Sequence, residues 1–322
     1  MTEKQWQIFC KFREEFKSKV EEWKQVAPEL TDLQRQAALD AKTPEYPFET
    51  SVVYNRDLDK LTKEDEIKLI VIGDNPGKDE QLAKNNRYLV GQAGKIADGF
   101  FKKNAELGVD FRKNVIILNK TPVHSAKTVQ LKKMMQLGGA KIERLILESQ
   151  VWMAEKTAQF YVDFLKSAAP DISCENQTLV GAADISSQKK ITSPELWLVG
   201  YSELKDKGFF SSYRDKLKST ILEKSDSCGA EDETCVGREE NSALKKETFS
   251  AWDGVYVFQH FSMNRFTIDL REQTESLNAD LIGRATAGEN IGMAQNSCGD
   301  IYSLLQKIHF TGKKHKEEIF GL

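Results

Sequence analysis

The sequence contains no apolar run near the roughly 18 residues that a membrane-crossing helix requires, which argues against a helical membrane protein. Its first residues, Met1-Thr2-Glu3-Lys4-Gln5-Trp6, lack the apolar core and small-residue cleavage site of a secretory leader, so a cytoplasmic location is expected. Cysteine is sparse and odd in number: Cys10, Cys174, Cys228, Cys235 and Cys298. No two are separated by the two-residue gap of a zinc or redox motif, and only Cys228 and Cys235 lie near each other, in a loop-like stretch. Reduced thiols without metal, iron–sulfur cluster or other cofactor are therefore expected. Neither a Gly-x-Gly-x-x-Gly turn nor a phosphate-loop lysine follows any strand-like run, which weakens a nucleotide-dependent small-molecule enzyme. Nor is there an internal repeat.

Strong net charge is also missing. The chain of 322 residues carries −3, and 40% of its residues are hydrophobic and 30% charged, an ordinary globular balance. Residues 226–240 alone hold six acids (Asp226, Glu231, Asp232, Glu233, Glu239 and Glu240) against Arg238, so the remainder is slightly basic. Nucleic-acid binding needs a local basic face rather than a basic total, and the charge permits it without requiring it.

Trp6, Phe9, Phe12, Phe16, Val20 and Trp23 recur at three- and four-residue spacing, which predicts an amphipathic helix over residues 4–25 with its stripe facing a core. Pro44 and Pro47 end the helical pattern. Four short runs rich in β-branched or aromatic residues follow: 68–73, 114–119, 195–200 and 254–259. None alternates with polar residues, as expected of strands buried on both faces of a parallel sheet. The stretches 93–106, 129–168 and 209–222 between them read as helical. The expected fold is a three-layer α/β/α sandwich around a four-stranded, mainly parallel sheet. Residues 1–60 would form a helical N-terminal extension, 61–310 the α/β domain, and 311–322 a basic C-terminal tail. Polar residues 169–190 and acidic residues 224–248 read as surface insertions.

In an open parallel sheet, ligands gather beyond the carboxyl ends of the strands. There the first run gives Gly73-Asp74-Asn75-Pro76-Gly77, the second Asn119-Lys120-Thr121-Pro122-Val123-His124, and the fourth His260-Phe261-Ser262-Met263-Asn264-Arg265. Bland readings stand beside each: Asn75-Pro76-Gly77 as a turn, Asn119 as a helix cap, His260 as a satisfied core histidine, and the neighbouring lysines as a solvated helix face. The three ends in order, rather than any one residue, favour a functional reading.

These segments resemble the uracil-DNA glycosylase superfamily. Gly73-Asp74-Asn75-Pro76-Gly77 is similar to the Gly-x-Asn-Pro-Gly motif of its mismatch-specific and single-strand-selective branches. Arg87-Tyr88-Leu89-Val90-Gly91-Gln92-Ala93-Gly94-Lys95 resembles the Arg-Pro-Phe-Val-Gly-Arg-Ala-Gly stretch of the iron–sulfur branch. Ile116-Ile117-Leu118-Asn119 resembles a Leu-Leu-Leu-Asn strand end, and His260-x-Ser262 the start of His-Pro-Ser-Pro. The likeness spans residues 68 to about 265 and leaves the N-terminal helix and residues 270–322 outside it.

The resemblance implies hydrolysis of the N-glycosidic bond of uracil or a related deaminated base, with DNA as partner, no membrane, and a monomeric chain. It implies Asn75 for the attacking water, His260 as a neutral donor to the departing base, and Asp74 as either a catalytic carboxylate or a turn cap. Gly73, Gly77, Tyr88, Leu89 and Asn119 would surround the base, Asn119 reading its edge and Tyr88 or Leu89 packing on its ring, Tyr88 being the better stacking partner. DNA contacts would come from Lys120, Lys127, Ser262 and Arg265, helped by His124, Lys132 and Lys133, with Met263 or Phe261 as a wedge. The chain departs from the pattern in lacking the iron–sulfur cysteines, in placing Leu89 at an aromatic position and in replacing a proline by Phe261. A superfamily member that binds nucleic acid without catalysis is the alternative expectation.

Overall fold

The computed structural model describes residues 1–168, 191, 193–226, 250–286 and 303–321, the last ten of 250–286 as backbone only. The expected insertion at 169–190, most of that at 224–248, and Cys174, Cys228, Cys235 and Cys298 lie outside these residues. Residues 224–226 are not loop; they finish a helix.

Four strands form one sheet in the order β2-β1-β3-β4: β1 (Leu69–Gly73), β2 (Val115–Asn119), β3 (Glu195–Val199) and β4 (Val255–Phe258). Every pairing is parallel, so the sheet is wholly rather than mainly parallel. All five residues of β1, β2 and β3 are buried, the condition that produces continuous apolar runs instead of alternation. Ile70, Leu196 and Val255 share one face and Val71, Trp197 and Tyr256 the other, a consequence of the register.

The second face is covered by α3 (Gln92–Lys103), α6 (Arg265–Thr286) and α7 (Leu304–Phe320). Trp197 packs on Phe101 of α3, Phe258 of β4 and Phe266 of α6, with centroids 4.8–6.0 Å apart. The third layer is built on α4 (Val129–Lys166), a long helix kinked at Gly139, against which α1 (Glu3–Val26), α2 (Leu30–Asp40) and α5 (Ser211–Asp226) pack.

Helix α1 begins at a capping box. Thr2 Oγ1 accepts from Gln5 N at 3.1 Å, and Gln5 Oε1 accepts from Thr2 N at 2.9 Å. Phe9, Phe12, Phe16, Val20 and Trp23 are buried, each worth about 1.5–3 kcal/mol of transfer free energy. The N-terminal helix is thus part of the core rather than an appendage.

A basic tail at 311–322 does not form. Residues 311–320 are the second half of α7, and Thr311, Gly312, His315, Lys316, Ile319 and Phe320 are buried. A Cβ on Gly312 would lie 2.6 Å from Phe258, so the helix rests directly on β4. No helix among the described residues is long and apolar enough to cross a membrane.

Candidate functional site

The carboxyl ends of β1, β2 and β4 open into a cleft of about 570 Å³, within the usual range of ligand sites. Gly73, Asp74, Asn75, Gly77, Leu89, Asn119, Lys127, His260 and Ser262 all border it. Tyr88, Lys120, Met263 and Arg265 do not.

Asn119 ends β2 opposite Gly73 in the sheet register. A Cβ on Gly73 would lie 2.4 Å from Asn119 Oδ1, so only glycine lets this side chain lie across the end of β1. Asn119 is 2% exposed, and its Nδ2 is buried without a hydrogen-bond partner among the described residues. Such a group costs roughly 1–3 kcal/mol when left unmade, and it faces a cleft where a ligand can satisfy it.

His260 follows β4. Ser262 N donates to His260 Nδ1 at 3.1 Å, and Ser262 Oγ lies 2.8 Å from the same nitrogen. Because a backbone N–H can only donate, Nδ1 is the acceptor and the neutral ring carries its proton on Nε2. Burial lowers the pKa of His260; the Asp74 charge opposes this and that of Lys120 reinforces it. The ring therefore presents a neutral N–H donor with no partner among the described residues.

Asn75 is held by the segment before α4. Its Nδ2 donates to Ser125 O at 3.0 Å and Ser125 Oγ at 2.9 Å, and its Oδ1 lies 3.4 Å from Thr128 Oγ1. His124 steadies the same turn: Nδ1 donates to Pro76 O at 2.8 Å, and Nε2 accepts from Tyr46 Oη at 3.1 Å. Burial depresses the pKa of His124 to about 4, so it stays neutral and structural.

Asp74 is not a turn cap. Its Oδ1 meets Lys120 Nζ at 2.5 Å, and the same ammonium donates to Val199 O at 2.5 Å. One lysine thus ties the ends of β1, β2 and β3 together. Lys120 is wholly buried over the Phe210 ring, which removes it from any DNA surface. The expected basic stretch is only partly exposed: His124 is buried and Lys133 pairs with Asp40 at 3.0 Å, whereas Lys132 is exposed near the Phe209 ring. Lys127 remains exposed at the rim.

Tyr88 does not stack in the cleft. It is fully buried, with Oη donating to Val53 O at 2.5 Å, and Leu89 takes the wall position instead. Leu89 has φ +50°, and its carbonyl accepts from Arg112 Nη2. A Cβ on Gly94 would fall 1.5 Å from Leu89 O, so α3 can start here only with glycine at that position. Phe261 is buried against Phe266 and cannot be a wedge, whereas Met263 is 75% exposed with φ +54°. Arg265 is exposed at the start of α6.

Sequence reasoning missed Glu80. It is 7% exposed, borders the cleft, and its Oε2 accepts from Gly77 N at 3.0 Å. The carboxyl also meets the N–H groups of Leu89 and Val90, joining the 73–77 turn to the 87–91 wall. Its place three residues after Gly77 is the spacing of a capping box, the one signal that marked it. Burial pushes its pKa up to about 7 despite those donors and Arg112. The native state therefore holds the proton longer than the unfolded chain. Stability falls as pH rises from about 4.5 to about 7, by up to about 3 kcal/mol from this residue. In Glu80→Gln that part of the slope disappears in urea denaturation across this range; an unchanged slope would mean that Glu80 ionises normally.

The chain matches no protein family, no characterised protein and no solved structure.

Proposed function

We propose that the protein is a DNA base-excision glycosylase that hydrolyses the N-glycosidic bond of uracil or a related deaminated base. The observation that carries this reading is the unpartnered Asn119 amide, 2% exposed, in the same cleft as the free Nε2–H of a neutral histidine. An amide offers one donor and one acceptor in a plane, which suits the alternating edge of uracil. That edge lies inside the stack of duplex DNA, so the base would have to be extruded to reach the cleft.

In the reaction a water oxygen bonds to the sugar C1′ as the bond from C1′ to the base nitrogen breaks. The electron pair leaves with the base, and the water's proton ends on the base or in solvent. Positive charge grows on the sugar and negative charge on the base, so oriented dipoles supply most of the acceleration. His260 Nε2–H donates to the base oxygen where that charge collects. The free amides at the start of α3, which borders the cleft at Gln92 and Ala93, add the positive end of a helix dipole. Asn75 Oδ1 orients the water, since an amide binds water without being a base. The Asp74 carboxylate, anchored by Lys120, favours the cationic sugar electrostatically. Leu89 packs on the ring of the base, Lys127 and Ser262 hold phosphate, and Met263 fills the gap left in the stack.

A second reading, nucleic-acid binding without catalysis, is favoured by the wall itself. Leu89 offers less to a base ring than an aromatic side chain would, and Tyr88 is turned into the core. Incubation with labelled uracil-containing DNA, single-stranded and in G·U and A·U pairs, distinguishes the two. Free uracil and an abasic site are the expected products. Tight, salt-dependent binding without release selects the second reading, and absence of both overturns the assignment.

A further inference from the structure

A second hollow, of about 580 Å³, lies between α3 and α6 and is bordered by Asn264 of the 262–264 turn. It is bordered by two helix faces. On α3 these are Lys95, Gly99 and Lys103, at four-residue spacing; on α6 they are Thr267, Arg271 and Thr274. Phe100 and Leu270 form a buried floor. Lys307 adds a fourth cation at the edge, and Glu275, 3.9 Å from Arg271, is the one carboxylate among the lining residues. Lys95 and Lys103 are exposed and make no ion pair among the described residues.

Nothing among the described residues of the hollow suggests chemistry: its lining includes no histidine, cysteine or acid pair. Its charge and shape suggest an extended anion. Gly99 leaves the middle of the α3 face open, with nothing within 4 Å of where its Cβ would be. Lys95 and Lys103 are eight residues apart, about 12 Å along the helix, or on the order of three steps of a stacked strand. The hollow and the cleft are bordered by neighbouring residues of the same two elements. Gln92 and Ala93 border the cleft and Lys95 the hollow on the same helix; Ser262 borders the cleft and Asn264 the hollow on the same turn, with Met263 at its apex.

We infer that the groove between α3 and α6 carries the sugar–phosphate backbone of the DNA strand on one side of the extruded base. Lys95, Lys103 and Arg271 neutralise phosphates along that stretch. This rests on the glycosylase reading of the cleft, or on its binding-only form. An acidic peptide would fit the charge but would give no reason for the hollow to border the same helix and turn as the cleft.

The test is fluorescence anisotropy of the full-length protein with labelled single strands. One covers the cleft alone, and two extend it by about six nucleotides in the 5′ or the 3′ direction. The wild type is expected to bind one extended strand at least tenfold more tightly than the other. Lys95→Glu/Lys103→Glu loses that advantage, and its log–log salt slope falls by about one for each phosphate contact removed. Lys102→Glu, on the same helix but outside the groove, behaves as the wild type. Equal tightening by both extensions, or a double variant that keeps the full advantage, overturns the groove while wild-type binding to the short strand leaves the cleft reading standing. A wild type that neither binds these strands nor releases uracil removes both.

Discussion

His260→Ala is expected to lower the single-turnover rate of uracil release by about 10²- to 10³-fold, the usual cost of removing one donor aimed at developing negative charge. The argument is geometric. Ser262 N–H occupies His260 Nδ1, so the only proton of the neutral ring points from Nε2 into the cleft. A donor there gains strength as the base acquires charge and contributes little before, so the loss falls on the chemical step. DNA affinity should stay within a few-fold, because grip belongs to the rim. The pH–rate profile adds a second readout. Burial lowers the pKa of His260 below its ordinary value of 6.5. The wild type should show no limb at 6.5, and activity should decline only at lower pH, where protonation of Nδ1 would oppose it to the Ser262 N–H. Full activity in His260→Ala would remove the residue from the mechanism. A limb at the ordinary histidine value would place the ring in solvent.

Lys120→Met should destabilise the protein by about 3–5 kcal/mol, the range found when one partner of a buried ion pair is lost, with a melting temperature lower by on the order of 10 °C. Lys120 is 0% exposed and Asp74 14%, so the pair is not a surface bridge of negligible worth. Methionine preserves the aliphatic stem but leaves the mostly buried Asp74 charged without its partner and Val199 O without the Lys120 donor. Asp74→Asn in the same chain should restore part of the loss, because the uncompensated charge goes. That recovery distinguishes electrostatics from simple packing. Unchanged stability with weakened DNA binding would instead return Lys120 to the phosphate-contacting role its sequence position suggests.

The strands were legible within a residue because a run buried on both faces has no alternative environment in which to fold. Helix α1 was legible for a similar reason: its aromatic stripe is long and strictly periodic. Residues 311–322 were misread because Lys313, Lys314 and Lys316 dominate a count of charge. In the helix, Gly312 meets the sheet, Ile319 and Phe320 are buried, Phe320 against Trp252, and the buried Lys316 lies over the same Trp252 ring. Burial of that half-helix depends on a strand more than fifty residues earlier.

The same division runs through the cleft. That Asn75, Asn119 and His260 meet is set by strand order, since short polar segments after three parallel strands must gather at one edge. The sequence alone therefore determined the sheet, the α/β class and the neighbourhood of these three side chains. It could not determine which neighbouring residues turn inward. Lys120 and Lys127 look alike in a chain of letters, yet one is clamped between three strand ends and the other is solvated at the rim. Of Tyr88 and Leu89, both expected at the base, only Leu89, with its left-handed backbone, borders the cleft, while Tyr88 bonds Val53 in the core. Glu80 became visible only when two loops, apart in sequence, closed over it. Side-chain direction and desolvation arise from contacts between distant segments, and only the tertiary structure decided them.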